Sequence, residues 1–415
     1  MAETLRLGFA GLSMDATKVL SQVTGLPNMK LVAAADTKRT AALERFRTDF
    51  DAEVFDDIEN LCRSPRVDAI YIATSPALHA EHAILAASHR KHVIIEKPMA
   101  LNLDDAERMN DAAEKHGIKL LCGHTHSFDA PVRKMREIVR SGELGQLCMI
   151  NTWNYNEFMY RRFTNQDLEA THGIVLNQLP HQIDIVRLIG GGRVKSVRGI
   201  VGIWDATRTS EGASVAFLEF SDAAATVVYN GRGYFDTAEL FGWVGEGGQP
   251  RAPDTNLKAR RNLSEFGGRN GERRLEELRE RDMRYGAKGV AEVPSHHGWE
   301  EQQQRPPRDE VHQPFFGITV VTCERGDIRQ SPDGLFVYGE NTKREIAVSR
   351  GVRGRQAEIK ELYDAVFNGR PLFHDGRWGE ATLEVCLGIL HSAQHGKEIM
   401  MSHQVTVDDA ALMPL

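Results

Sequence analysis

Leu5-Arg6-Leu7-Gly8-Phe9-Ala10-Gly11-Leu12-Ser13-Met14-Asp15-Ala16 decides how the rest of the chain is read. The first six residues are apolar enough for a buried strand. A turn follows, and Thr17–Thr24 then has the apolar spacing of a helix. A dinucleotide fingerprint would place glycines at 11, 13 and 16; here stand Gly11, Ser13 and Ala16. Gly11 permits the tight turn. Ser13 is small enough for its backbone to approach a pyrophosphate, and its hydroxyl can donate to one. Ala16 still allows close packing of helix on strand. The helix start, with Leu12, Ser13 and Met14, would present N–H groups to the phosphates. A plain strand–turn–helix is the competing reading.

The pattern continues outward. Leu31–Ala35 reads as a second strand, ending at Asp36 and Thr37. Asp36 lies 20 residues beyond Ala16, where an acidic side chain meets the adenosine ribose. A carboxylate there favours NAD, while Lys38 and Arg39 leave NADP as the alternative. Asp36 as a helix cap or turn residue is the plainer reading. Ala69–Ala73, Val93–Ile95 and Lys119–Cys122 are further strands, with helices over Glu81–Ser88 and Asn102–His116. Such alternation specifies βαβ units and a parallel sheet. Ligands of an open α/β sheet bind at the carboxyl ends of strands. Thr74-Ser75-Pro76, His79 and Glu96-Lys97-Pro98 are therefore candidates. Proline biases the lysine backbone toward an extended conformation, which would fix where Lys97 points.

Composition narrows the classes. The 415 residues are 41% hydrophobic and 26% charged, as in a globular protein. A net charge of −7 argues against general nucleic-acid binding. No run reaches the roughly 18 apolar residues of a membrane span, and no secretory leader is expected. Five scattered cysteines without a CxxC pair point to a reducing cytoplasm rather than a disulfide framework. The sixteen histidines include His124-x-His126 and His296-His297, but typical zinc spacing is lacking, so no metal is expected.

Farther along, Asn177, His181 and Asp184 stand at i, i+4 and i+7, one face if helical, with Pro180 disturbing the turn before His181. A polar helix face is the bland alternative. Together, the glycine turn, Ala73–His79, Glu96-Lys97-Pro98 and NQLPHQID (177–184) resemble the Gfo/Idh/MocA family over most of the chain. The resemblance implies a Rossmann domain over 1–125. It also implies an α+β domain over 126–415 with an open, mostly antiparallel sheet that forms substrate floor and oligomer contact. It places Lys97 and His181 on the catalytic lysine and histidine. Asn177 stands where many members carry Asp, so it can orient His181 but not supply charge. His124, in GHTHSFDAP (123–131), would fall beside the nicotinamide.

That segment, with Tyr160-Arg161-Arg162-Phe163 and a charged insertion at about 232–313, resembles the branch that oxidises aromatic cis-dihydrodiols, phthalate's among them. The insertion would be a lid, an assembly arm or a solvated excursion, with a helix over Glu272–Tyr285. Guanidinium groups bind carboxylates in a planar, bidentate manner, so Arg161 and Arg162, with Tyr160 and Asp184, are the expected substrate contacts, and the expected ligand is a diol, with a dicarboxylate as the first candidate. Lys97 would accept the hydroxyl proton; His181 would bond the second hydroxyl or share the relay. A sugar or inositol dehydrogenase and a non-catalytic NAD-binding sensor are the alternatives. An open sheet face argues for a homo-oligomer, dimer or tetramer.

Overall fold

The computed structural model describes residues 3–12, 19–20, 23–24, 26–38, 40–123, 125–161, 168, 171–206, 208–265, 285, 311–351 and 354–412. They form two compact units. One comprises 1–123, 273–305 and 355–380; the other comprises 124–272, 306–354 and 381–415.

The first unit carries β1 (Leu5–Ala10), β2 (Met29–Ala35), α1 (Thr40–Phe50), β3 (Glu53–Phe55), α2 (Ile58–Arg63), β4 (Ala69–Ile72), α3 (His79–Ser88), β5 (His92–Glu96), α4 (Leu103–His116) and β6 (Leu120–Gly123). The strands are all parallel, in the order β3-β2-β1-β4-β5-β6. The order reverses between β1 and β4, which opens a crevice at their carboxyl ends. The strands are buried almost throughout, as expected when helices cover both faces of a parallel sheet. Local chemistry sets the helix ends. Asn102 caps α4 by accepting the Asp105 N–H at 2.8 Å, and Gly117 ends it in the left-handed region. β3 carries no strong strand signal. Its three residues are only half-buried at the sheet edge.

The second unit carries α5 (Ala130–Ser141), β7 (Leu147–Tyr155), α6 (Ile174–Asn177), α7 (Leu179–Gly190), β8 (Ser196–Gly202), β9 (Ala213–Glu219), β10 (Ala224–Asn230), α8 (Thr255–Glu265), β11 (Ile318–Cys323), β12 (Gly326–Ser331), β13 (Gly334–Gly339) and β14 (Lys343–Ala347). The chain closes with α9 (Gly354–Phe367), α10 (Gly376–His395) and β15 (Ile399–Met400). The nine-stranded sheet runs β14-β13-β12-β11-β7-β10-β9-β8-β15. Among the described residues only β7 and β10 pair in parallel. Its strands alternate buried and half-exposed positions, the sign of one covered face. Helix α7 lies on that face, where Gln182 donates to Thr152 Oγ1 at 3.0 Å.

Two expectations need amending. Not everything after residue 126 belongs to the second unit, because 355–380 packs with the first. The insertion is not one solvated excursion either. Tyr285 is buried against Phe46 and Phe50 in the first unit's core and donates to Asp49 Oδ2 at 2.8 Å. Apart from Tyr285, the expected helix over Glu272–Tyr285 lies outside the described residues.

Candidate active site

At the nucleotide end of the first unit, Gly11 has φ +87°, and a Cβ there would fall 2.9 Å from the Ala73 carbonyl oxygen. Any side chain would therefore close the gap between β1 and β4. Leu12 N–H donates to Asp36 Oδ2 at 2.8 Å, and Lys38 N–H donates to Asp36 Oδ1 at 2.9 Å. The Asp36 carboxylate thus ties the glycine turn to the end of β2, with exposed Thr37 beside it. This cradle fits a dinucleotide: a turn that only glycine can make, an acidic residue at the second strand, and both at the crevice. Ser13, Met14, Ala16, Arg39 and His124 lie outside the described residues.

Thr74, Ser75 and Pro76 follow β4, and Lys97 follows β5 immediately. His79 is sealed inside. Its Nδ1 lies 2.9 Å from the Pro98 carbonyl oxygen, and its Nε2 lies 3.1 Å from that of Thr74. Burial pulls its pKa down despite both carbonyls, so the ring is neutral and donates to one of them. It links the Thr74 turn to the Lys97-Pro98 turn, whose peptide is cis, and reaches a cofactor only through those turns.

Glu96 is also committed. Tyr71 donates to its Oε1 at 2.7 Å, and Arg355 Nη2 lies 2.7 Å from the same oxygen. Arg355 also pairs with Glu358 at 3.1 Å. Burial drives the Glu358 pKa up, even with Arg355 beside it. The glutamate therefore pins the end of β5, and half-buried Lys97 is the next residue out.

In the second unit the 177–184 stretch is not one helix. α6 ends at Asn177, and α7 begins after Gln178 with Pro180 in its first turn. Proline suits that place, where its missing N–H would have had no partner. Gln178 Nε2 donates to Asn177 Oδ1 at 2.8 Å. His181 is buried beside two other rings. His126 meets it edge-on at 5.1 Å, and Phe316 lies at 5.0 Å. Asp184 is fully enclosed at 0% exposure, so a substrate contact would require the helix to repack.

Arg161 donates to Glu157 Oε1 at 2.9 Å and to Glu246 Oε2 at 3.1 Å, and its guanidinium lies 5.8 Å from the Phe158 ring centre. Glu157 also pairs with Arg251, which holds Asp236 at 2.6 Å. Burial raises the Glu157 pKa, but Arg161 and Arg251 outweigh it and hold the carboxyl below its ordinary range. Tyr160 donates to Asp205 and lies under the guanidinium groups of Arg208 and Arg260. Arg162 lies outside the described residues.

Residues 5–124 match the family model of oxidoreductases with an NAD-binding Rossmann fold, and residues 132–246 match the GFO/IDH/MocA C-terminal domain. A relative from Comamonas testosteroni, 1-carboxy-3-chloro-3,4-dihydroxycyclohexa-1,5-diene dehydrogenase, is 34% identical across 94% of this chain and 95% of its own. The chain belongs to the Gfo/Idh/MocA family. A crystal structure of a protein from Bordetella bronchiseptica RB50 superposes with a TM-score of 0.84 at 34% identity, covering 96% of this chain and all of that one. Myo-inositol 2-dehydrogenase of Thermotoga maritima is 26% identical over 58% of this chain and 74% of its own.

This Gfo/Idh/MocA protein is an NAD-dependent oxidoreductase, which sets aside the non-catalytic sensor. No helix among the described residues is long and apolar enough to cross a membrane. Sequence reasoning missed Arg355 behind Glu96, and Phe316, Tyr229 and Glu157 around the second-unit residues. Of these, Glu157 had a local signal, four residues before Arg161.

Proposed function

We propose that the enzyme oxidises a cis-dihydrodiol of a carboxylated aromatic ring to a catechol. The 4,5-cis-dihydrodiol of phthalate, giving 4,5-dihydroxyphthalate, is the first candidate. One observation carries the reading. An unbroken chain of aromatic contacts runs from a guanidinium to an imidazole within the second unit. Arg161 lies over Phe158; Phe158 meets Tyr229 at 6.4 Å, Tyr229 meets Phe316 at 6.3 Å, and Phe316 meets His181. A flat ring with a carboxylate at one end and hydroxyls at the other matches that polarity. The name of the Comamonas relative, a carboxylated dihydroxycyclohexadiene dehydrogenase, supports the same class. Arg161 already has two acidic partners. The incoming carboxylate takes the place of Glu246, the more exposed of the two.

When bound, NAD⁺ supplies the hydride acceptor. Lys97 removes the proton of the hydroxyl being oxidised, and His181 shares that proton relay. Asn177 acts through Gln178, the residue that joins α6 to α7. The hydroxydienone formed tautomerises to a catechol, and the aromaticity gained draws the reaction forward. Polyols, inositols and cis-dihydrodiols offered with NAD⁺ or NADP⁺, followed by absorbance of the reduced cofactor, test this. Turnover of the carboxylated dihydrodiol with NAD⁺ is expected. Oxidation of inositols or sugars with none of any dihydrodiol would overturn it in favour of the polyol reading.

The assembly we infer is a homo-oligomer in the cytoplasm. Ile200, Val215, Val228, Trp153 and Ile318 are successive cross-strand neighbours on one face of the nine-stranded sheet. Ile200, Val215 and Trp153 are each about half exposed or more, at 56%, 48% and 46%. A contiguous apolar stripe of this kind marks an interaction surface, and a second copy supplies a matching one. All five cysteines are free of disulfides, in keeping with a reducing compartment.

A further inference from the structure

Lys97 stands between two anchored residues. Before it, the buried Glu96 carboxylate accepts the Tyr71 hydroxyl at 2.7 Å, and Arg355 Nη2 lies 2.7 Å from Glu96 Oε1 and 2.9 Å from Oε2. After it, the Pro98 carbonyl oxygen lies 2.9 Å from His79 Nδ1. The half-buried lysine is therefore held on both sides by side chains from other elements.

Arg355 is the charged member of that frame. Among the described residues it is the only cation paired with Glu96, and its Nη1 holds Glu358 at 3.1 Å. A guanidinium keeps its charge and serves two carboxylates from separate nitrogens. Room for it is left by β6, which ends on Gly123, the cross-strand neighbour of Glu96. A Cβ on Gly123 would fall 2.9 Å from Arg355 Nη1, so a side chain there must push the guanidinium from its place between the carboxylates. A buried carboxylate that loses its cation still bears the cost of desolvation. The next amine along the chain is that of Lys97, and a Glu96–Lys97 pair would hold that amine at the strand end.

We propose that Arg355 is a positioning residue for the oxidation: by holding Glu96 it keeps the Lys97 amine available to the substrate hydroxyl. This rests on the reading of Lys97 as the base. A misplacement of about 1 Å at such a group costs about 10²-fold in rate, so the effect belongs in kcat rather than in cofactor binding.

The test measures kcat and the dissociation constant for NADH, on whichever substrate of the panel above is turned over. Arg355→Gln is expected to lower kcat about 10²-fold and to leave NADH binding within about threefold. Arg355→Lys, which keeps the charge, should recover part of the rate. Gly123→Ala, which displaces the guanidinium without removing it, should fall between, and it decides the matter if Arg355→Gln does not fold. The same substitutions are then made in Lys97→Met. Groups that act through one another are not additive, so the second change should cost less than about threefold there. An unchanged kcat in Arg355→Gln, or an equal loss with and without Lys97, would overturn the proposal. Near-normal turnover of Lys97→Met would sink the base reading by itself. Arg355 is then decided by acetylation of Lys97 with a succinimidyl ester, read by peptide mass with and without NADH. Protection by NADH in wild type that is lost in Arg355→Gln would support the positioning role; equal protection in both, or none in wild type, would overturn it.

Discussion

The two sheets hide apolar side chains in opposite ways. In the six-stranded sheet β4 is buried at every position and β1 and β5 at nearly every one. Both faces are covered, so chemistry is left to the strand ends, where Gly11, Asp36 and Lys97 stand. In the nine-stranded sheet β10 alternates, with Ala225, Val227 and Tyr229 inside and Ala224, Thr226 and Val228 half-exposed. One face there carries α7 and His181, and the other exposes Ile200, Val215 and Trp153. A parallel sheet concentrates function at an edge, whereas an antiparallel one divides it between faces.

That contrast can be broken or sharpened by substitution. The largest effect is expected at the strand end. Lys97→Met should keep NAD binding, read by fluorescence titration, and lose about 10³-fold in kcat; near-normal turnover would remove Lys97 from the reaction. Next comes its support. Arg355→Met strands the carboxylates of Glu96 and Glu358 in the interior, which should cost about 3 kcal/mol in urea unfolding. A cost near zero would show that the network is not what pins β5.

Gly11→Val forces a side chain against Ala73 at a φ that disfavours it. The dissociation constant for NAD should rise at least about tenfold, from about 1–3 kcal/mol of backbone strain. On the sheet face that carries Val215, Phe217 lies two residues along β9 and is half exposed, and Phe217→Lys should dissociate the homo-oligomer proposed above with the fold retained, read by sedimentation. An unchanged mass would place the interface elsewhere.

The smallest effect is in pH. Glu157 is held below the ordinary 4.5 of a glutamate. Its contribution is fully present above that value and is lost as the pH falls through the lower, native-state value. Unfolding free energy measured across that acid range should drop more steeply in wild type than in Glu157→Gln; parallel curves would deny the pairing any net effect.

Much of the first unit was legible locally. The apolar runs of β1, β4 and β5 and the turn at Gly11 are properties of neighbouring residues, and so are the helices that follow. Pro180 likewise announced the break before His181. The sequence reading of Arg161 as an open carboxylate receptor was incomplete, because Glu157 is one turn away but Glu246 is 85 residues on. Glu96 stands where expected, at the end of β5, and His79 opens α3 beyond the turn that follows β4. Their polar atoms are taken up by Pro98, Thr74, Tyr71 and Arg355.

By itself the sequence determined the period of each strand, the glycine turn, the lysine after β5 and the proline-broken helix, since these depend on bonds and contacts between near neighbours. Only the tertiary structure decided that Arg355 neutralises Glu96 from 259 residues away, that Tyr285 enters the first unit's core, and that Phe316 stacks on His126. Such pairings arise when a chain closes on itself and must satisfy every buried charge and ring at once. No local pattern records which distant partner will do so.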